Sequence, residues 1–598
     1  MVYDAQNMAG SPFVAVPRKT ETRKLYPSVE DHILTRAAAL AATQRKLDPD
    51  TYDPPLDVID LLKPEFCLEH LVLPWDKLGN ATLVATAHAD HPSHLRHMLE
   101  ERIGPVILAT MSEADIQRLI AENHSQQLID HAETQLPEEL SCRDINKMTW
   151  KRGLLATLFF GLSFALIFLM PRLFFIMLTF VAVANLFACV VFKLVMLFAG
   201  YRKPDQQPIE VPLDERPIVS IMVPMFREER IVNELIARLS RLTYPKSLLD
   251  VVFVVEKFDK KTKHMIDAQS LPSWIRVIEV PDGRIKTKPR ALNYALNFTR
   301  GDIIGVLDAE DAPAADQIER VVETFHTTPK EVACVQGILD FYNSRSNWIA
   351  RCFTIEYATW FRVILAGAAR LRMQIPLGGT TVYLRRHALK QVGAWDAHNV
   401  TEDADLGVRL ARFGYKTVML PTVTREEANN RIRAWIKQRS RWLKGYMITY
   451  IVHMRRPFKH WRDVGTRKFI GFQVFFLTTI LQFTLAPFLW CFWLVFFGLQ
   501  TPFTEVFPPP ALKGLLGLFL VTELLSLLVG FFAVARTQHE KLMQWVPMMM
   551  FYHPMGVVAV YKAIMELILK PFYWDKTTHG VSAPDTPGGD IHTSVLQP

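Results

Sequence analysis

The sequence predicts an α/β domain inserted between transmembrane helices, with a small α+β domain ahead of it. Three observations carry that reading. Apolar runs at Leu154–Met170, Leu173–Ala199, Phe469–Leu499 and Leu515–Ala535 flank a stretch of ordinary polarity, and each reaches or approaches the ~20 residues a helix needs to cross a bilayer core of ~30 Å. Inside that stretch the runs IVSIMVPM, DVVFVVE and DIIGVL are almost continuously apolar and end in polar turns, as strands buried on both faces do. Upstream, the β-like runs HLVLPW and ATLVATA surround the turn Gly79-Asn80, and helical periodicity follows them.

Composition sets the outer limits. The chain has 598 residues, half of them hydrophobic, which is too long for one ordinary core and leaves room for membrane segments beside a soluble domain. The six cysteines (Cys67, Cys142, Cys189, Cys334, Cys352 and Cys491) form no C-x-x-C pair, so neither a disulfide framework nor a zinc site is expected, and a reducing compartment fits. The formal charge of +8 is not read as a nucleic-acid surface, and no nucleic-acid partner is expected. Lys151, Arg152, Arg202, Lys203, Arg455, Arg456, Arg467 and Lys468 stand at the flanks of apolar runs, which is the positive-inside pattern.

Along the chain, residues 1–50 are polar and aperiodic, and are read as disordered or weakly helical. The N-terminus lacks an apolar signal core, so no secretory signal is expected and the residues before the first span should stay cytoplasmic. Residues 51–150 read as the small α+β domain, with helices in SHLRHMLEER and SEADIQRLIAEN around the strand PVILAT. Residues 151–200 read as a transmembrane hairpin broken at Pro171-Arg172, with both ends basic and therefore cytoplasmic. The α/β domain occupies 201–460, opening on the Pro-rich linker KPDQQPIEVPLDERP. Residues 461–575 hold an interfacial helix and span (Phe469–Leu499), a further span (Leu515–Ala535) and a segment, Val546–Leu569, that either spans or lies on the surface. Four spans are expected, with a fifth left open; 576–598 read as a flexible tail.

The chemistry concentrates where strands end. Asp308, Glu310 and Asp311 follow the run DIIGV, and in open α/β sheets ligands bind beyond the strand C-termini. Asp308 and Glu310 can share a hard cation, Mg²⁺ or Mn²⁺, which prefers oxygen ligands and would bridge a substrate diphosphate. The competing interpretation of such acids is helix capping.

From Pro217 to Tyr450 the chain resembles a family 2 glycosyltransferase of the GT-A fold. With its flanking spans it is similar to the membrane-embedded synthases typified by cellulose synthase. The metal motif D-x-D is matched by Asp308-Ala309-Glu310, with Glu at the second acid. T-E-D is matched by Thr401-Glu402-Asp403, and Q-x-x-R-W by Gln438-Arg439-Ser440-Arg441-Trp442.

The resemblance implies inverting transfer of a sugar, glucose being expected, from a UDP-sugar donor to a growing β-linked exopolysaccharide at the cell inner membrane. Asp403 is then the base that takes the acceptor proton, with Glu402 as the alternative. Lys288, in KPRALN, and Arg441 meet the diphosphate beside Asp308, while Glu256 and Asp259 stand where related enzymes contact the nucleoside. Gly378, Gly379 and Thr380, in IPLGGTT, with Gln438 and Trp442, floor the acceptor site.

Two other functional readings stay open: a single-addition transferase acting on a lipid acceptor in the bilayer, and a catalytically silent membrane scaffold or receptor. Residues Leu62–Leu128 resemble the N-terminal domain of type II secretion ATPases, which implies cyclic di-GMP or a regulatory protein as its partner, or a docking role without ligand.

Overall fold

The computed structural model describes residues 47–574, apart from 51, 53, 89, 91–92, 202–208 and 229–230. The disorder expected for the first residues and the flexible tail fall outside the described residues. Contacts divide the chain into two units, 1–124 and 125–598.

In the first unit, strands β1 (Val72–Leu78) and β2 (Ala81–Thr86) pair antiparallel across Gly79, whose φ of +62° a side chain would resist. Helix α1 (Ser93–Ile103) leads to β3 (Val106–Thr110), which joins β2 in parallel. Helix α2 (Glu113–Asn123) starts at Ser112, whose hydroxyl accepts the Asp115 N–H at 3.1 Å.

The second unit opens with α3 (Ser125–Thr134) and the membrane-type helices α4 (Trp150–Leu169) and α5 (Pro171–Ala199). The α/β domain then runs β4 (Val219–Met225), α6 (Val232–Ser240), β5 (Leu249–Glu256), α7 (Lys260–Asp267), β6 (Ile275–Val280), α8 (Lys288–Leu296) and β7 (Ile303–Val306). Next come β8 (Ala312–Pro313), α9 (Gln317–Thr327), β9 (Val332–Phe341), α10 (Trp348–Thr359), β10 (Val382–Arg385), α11 (Glu402–Arg412), β11 (Lys416–Glu426) and α12 (Ile432–His453). Eight strands form one sheet in the order β6-β5-β4-β7-β10-β9-β11-β8.

The first four neighbours are parallel, as the apolar runs lead one to expect. The sheet as a whole is mixed, because β10 pairs antiparallel with both β7 and β9. The chain reaches β10 through a tight reversal, with φ of +77° at Gly379 and +55° at Thr381, and that turn sets the strand's direction. Every residue of β5 and β9 is buried, so both faces of the sheet are covered.

Helices α13 (Pro457–Phe472), α14 (Thr479–Phe496), α15 (Pro509–Val534) and α16 (Met555–Leu569) follow. Among the described residues, three helical stretches are long and apolar enough to cross a membrane: Pro171–Ala199, Pro457–Phe496 and Pro509–Val534. Four were expected; the difference is α4, whose apolar part, Gly153–Leu169, is shorter. In α13, Gly465 breaks the helix (φ 77°, ψ 166°) and separates a basic aromatic start from the apolar continuation. The doubtful last segment resolves into short turns followed by the 15 residues of α16, about 22 Å of helix at 1.5 Å per residue. That is less than a span needs.

Candidate active site

Lys288 opens α8 behind its N-cap Thr287 and ties the site together. Its Nζ donates to Asp308 Oδ1 at 2.5 Å and to the carbonyl of Gly379 at 3.2 Å. Burial opposes the Lys288 charge, but Asp308, Glu402 and Asp403 outweigh it and raise the ammonium pKa.

Glu402 and Asp403 form the first turn of α11, where the helix dipole favours anions. Burial, with the neighbouring Asp403 charge, nevertheless pushes Glu402 up to about 7. Burial also raises Asp403, against the Ala404 N–H, Lys288 and Arg441. Asp403 Oδ1 accepts that N–H at 2.8 Å, while Oδ2 lies 2.7 Å from where a Cβ on Gly379 would sit. A glycine is required there twice over, for its φ and for its missing side chain. Gly445 of α12 is constrained by space alone, since its Cβ would lie 2.1 Å from Thr401 Oγ1. Its absence lets the Q-x-x-R-W helix close on the T-E-D turn.

The acids after β7 are mutually strained. Asp311 is fully buried; it accepts the Asp308 N–H at 2.8 Å and the Thr380 hydroxyl, and its Oδ1 has no partner. Burial, then Asp308 and Glu310, raise its pKa, and burial, then Asp311, Glu310 and Asp308, raise Glu426. Hard oxygen donors clustered after one strand suit Mg²⁺ or Mn²⁺. Among the described residues no three His, Cys, Asp or Glu side chains form a ready cation cage, so a cation held by Asp308 and Glu310 would draw its remaining ligands from water and a diphosphate.

At the end of β5, Glu256 receives Arg290 Nη2 at 2.6 Å. Burial outweighs the guanidinium and lifts Glu256 to about 7. Arg290 is 1% exposed, and its Nε and Nη1 are buried without partners. Asp259 caps α7: it accepts from the N–H of Arg227 at 2.5 Å and from the Thr262 hydroxyl at 2.7 Å.

A cavity of about 300 Å³ opens from Gly378, Thr401 and Asp403. Its walls come from α10, α12 and the membrane-type helices, including Tyr357, Trp442, Tyr446, Phe475, Lys193, Gln482, Glu523 and Ser526. Two π-helical turns, Trp360–Leu365 and Gln473–Thr478, contribute to this wall, and such turns gather at functional sites.

The structure thus brings together Asp403, Glu402, Lys288, Asp308, Gly378, Gly379, Thr380 and Trp442, with Arg441 close enough to act on both T-E-D acids. Glu310 stands beside them, buried. Gln438 is not among the cavity's lining residues; its Oε1 accepts from Asn429 Nδ2 at 3.0 Å. Sequence reasoning placed Asp311 with the strand-end acids but missed Glu426 and Arg290, and also the cavity's Lys193 and Glu523. The last two carried a signal, since each is a lone charge inside an apolar run.

Asp403 thus faces a cavity, with two helix-borne cations, Lys288 and Arg441, near enough to act on its charge. Residues 216–445 match the glycosyltransferase-like family 2 profile, and this part of the chain is a family 2 glycosyltransferase domain. Residues 41–130 match the MshEN domain.

The chain is 29% identical over 279 residues to the β-monoglucosyldiacylglycerol synthase of Trichormus variabilis, which covers 45% of this chain and 57% of the relative. It is 29% identical over 250 residues to "Probable glucomannan 4-beta-mannosyltransferase 1" of Arabidopsis thaliana, covering 40% and 45%. The chain therefore spans about half the length of these relatives. A solved mannosyltransferase from Pyrobaculum calidifontis, in complex with GDP-Man and Mn²⁺, aligns with 65% of this chain and 99% of its own at 17% identity and a TM-score of 0.44.

Proposed function

We propose that the chain is an inverting, inner-membrane hexosyltransferase that moves a sugar, glucose by first expectation, from a UDP-sugar to a growing β-linked exopolysaccharide. One observation carries this reading: Asp403, beside the Lys288–Asp308 pair, opens onto a cavity whose far wall is made of membrane-type helices.

In the reaction, Asp403 takes the acceptor hydroxyl's proton as that oxygen bonds to the anomeric carbon. The bond from that carbon to the diphosphate oxygen breaks, and the nucleoside diphosphate leaves with the electron pair. Lys288 and Arg441 meet its charge, and Arg290 with Glu256 offers donors and an acceptor toward the nucleoside. A divalent ion held by Asp308 and Glu310 would supply further screening of the diphosphate. The backbone of Gly378, Gly379 and Thr380 floors the acceptor site, and Trp442 gives the acceptor ring an apolar face.

Lys193 and Glu523 bear on the acceptor. A charge inside a bilayer costs about 3 kcal/mol or more, and an acyl chain gains nothing from meeting one. A saccharide does, which favours the polymer reading. The apolar share of the same wall supports the second reading, one addition to a lipid headgroup. The N-terminal unit is proposed as a docking module for a regulatory protein or cyclic di-GMP.

The test is nucleoside diphosphate release by the full chain in lipid nanodiscs with Mg²⁺ or Mn²⁺ and a panel of nucleotide sugars, beside Asp403→Asn, with the product sized. Metal-dependent release lost in the variant supports the transferase reading; a long product separates polymer from single addition. Equal release by wild type and variant would refute Asp403 as the base, and no release from any donor would refute the transferase reading.

A further inference from the structure

The segment after α16, residues 570–574, carries three consecutive aromatic residues, Phe572, Tyr573 and Trp574. Its aromatic residues lie against the Q-x-x-R-W helix and the loop that leads to T-E-D. Trp574 stacks under Arg441, with the guanidinium carbon 4.7 Å from the ring centroid. The carbonyl of Tyr573 accepts from Lys444 Nζ at 2.7 Å, and Lys444, fully buried, also donates to Glu566 of α16 at 3.1 Å. Phe572 meets His398 edge-on at 5.7 Å, three residues before Thr401. Phe572 and Trp574 pack together on Val400, Ile448 and Val452. The strap therefore touches both α12 and the loop leading into α11.

We propose that Trp574 is a positioning residue that holds Arg441 in place to receive the leaving diphosphate. The inference rests on the transferase reading. Among the described residues Arg441 Nε is buried and has no hydrogen-bond partner, so no side chain aims the guanidinium by bonding to that atom. A ring face can hold a cation without consuming its donors, which leaves the N–H groups free for phosphate oxygens. A carboxylate in Trp574's place would hold Arg441 more tightly and compete with the substrate.

The experiment uses the full chain in lipid nanodiscs and reads UDP and GDP affinity with Mn²⁺, donor KM, kcat and the melting temperature. The variants are Trp574→Leu, which keeps apolar packing but lacks the ring, Trp574→Phe, which keeps a ring face, and Phe572→Ala, which removes the strap's other aromatic contact. Loss of a partly desolvated cation–π contact corresponds to roughly 5- to 30-fold. Trp574→Leu is therefore expected to weaken nucleotide affinity and raise donor KM by that factor, with kcat at saturation and the melting temperature close to wild type. Trp574→Phe should recover most of the affinity.

Equal affinities for Trp574→Leu and Trp574→Phe would overturn the proposal. So would equal losses in Trp574→Leu and Phe572→Ala, which would make the strap merely structural. A wild type that binds neither nucleotide would overturn the transferase reading itself, whereas a wild type that binds normally beside an unaffected Trp574→Leu would sink only the role of Trp574.

Discussion

Replacing Gly379 by alanine tests the placement of Asp403 with an internal control. At φ +77° an alanine pays the left-handed penalty, about 1–2 kcal/mol. Gly414 has a φ of +85° and nothing within 4 Å of its would-be Cβ, so Gly414→Ala suffers the same backbone strain without a neighbour. What Gly379→Ala adds is a methyl carbon 2.7 Å from Asp403 Oδ2, where ordinary contact begins at 3.4 Å. The carboxylate must give way by roughly 0.7 Å while its other oxygen remains tied to the Ala404 N–H, and a displacement near 1 Å can cost on the order of 100-fold in rate. Both variants should lose similar stability in thermal melts, but only Gly379→Ala should lose turnover, roughly 10- to 100-fold in kcat. Donor KM should move less if, as proposed, Gly379 floors the acceptor side of the site. If Gly379→Ala keeps the turnover of Gly414→Ala, Asp403 does not work from the position described, and the base assignment fails with it.

Five further outcomes follow from the same geometry. With Glu402 at about 7 and Asp403 raised, the rate should climb as pH rises through 7 and the acid pair loses its proton; a flat pH–rate profile in wild type contradicts this. Because the folded Glu402 pKa is raised, the native state binds more protons than the unfolded one between about 4.5 and 7, so this group's stabilising contribution falls as pH rises across that window. Melting of Glu402→Gln against pH should show a shallower slope there. Chelation by EDTA should abolish release and Mn²⁺ or Mg²⁺ should restore it, with Asp308→Ala unresponsive to the added metal. Asp405, fully buried, bonds Arg409 at 2.7 Å and His453 at 3.0 Å, so Asp405→Ala should cost about 3–5 kcal/mol in chemical denaturation by stranding a buried cation. On α3, Glu133 accepts the N–H groups of Arg284 and Ile285 at 2.8 and 3.3 Å, just ahead of Lys288; Glu133→Ala should raise donor KM several-fold while kcat holds, and an unchanged KM would dismiss α3 as a brace for that loop.

How much of this was legible in the sequence depends on the range of the interaction concerned. The parallel half of the sheet could be read because β4, β5 and β7 are buried on both faces, and burial writes itself into the chain as an unbroken apolar run. The antiparallel strand β10 could not. Its four residues look like any short strand, and its direction is set by a reversal at Gly379 and Thr381 that only backbone angles reveal. The site divides the same way. Asp308, Glu402, Asp403 and Arg441 stand in short ordered motifs, but partners come from far along the chain: Glu426 from the end of β11 onto Asp311, Arg290 onto Glu256, Trp574 onto Arg441.

The most instructive miss is the cavity wall. Lys193 and Glu523 sit in segments whose overall polarity says only that they can cross a membrane, and a reading weighted by averages treats such charges as noise. Energetics argues the reverse: a costly residue in an apolar helix marks the face that meets something polar. Both charges line the cavity that begins at Asp403. The lone exceptions in those runs therefore pointed to this cavity, as directly as the acidic motifs pointed to the strand ends beside it.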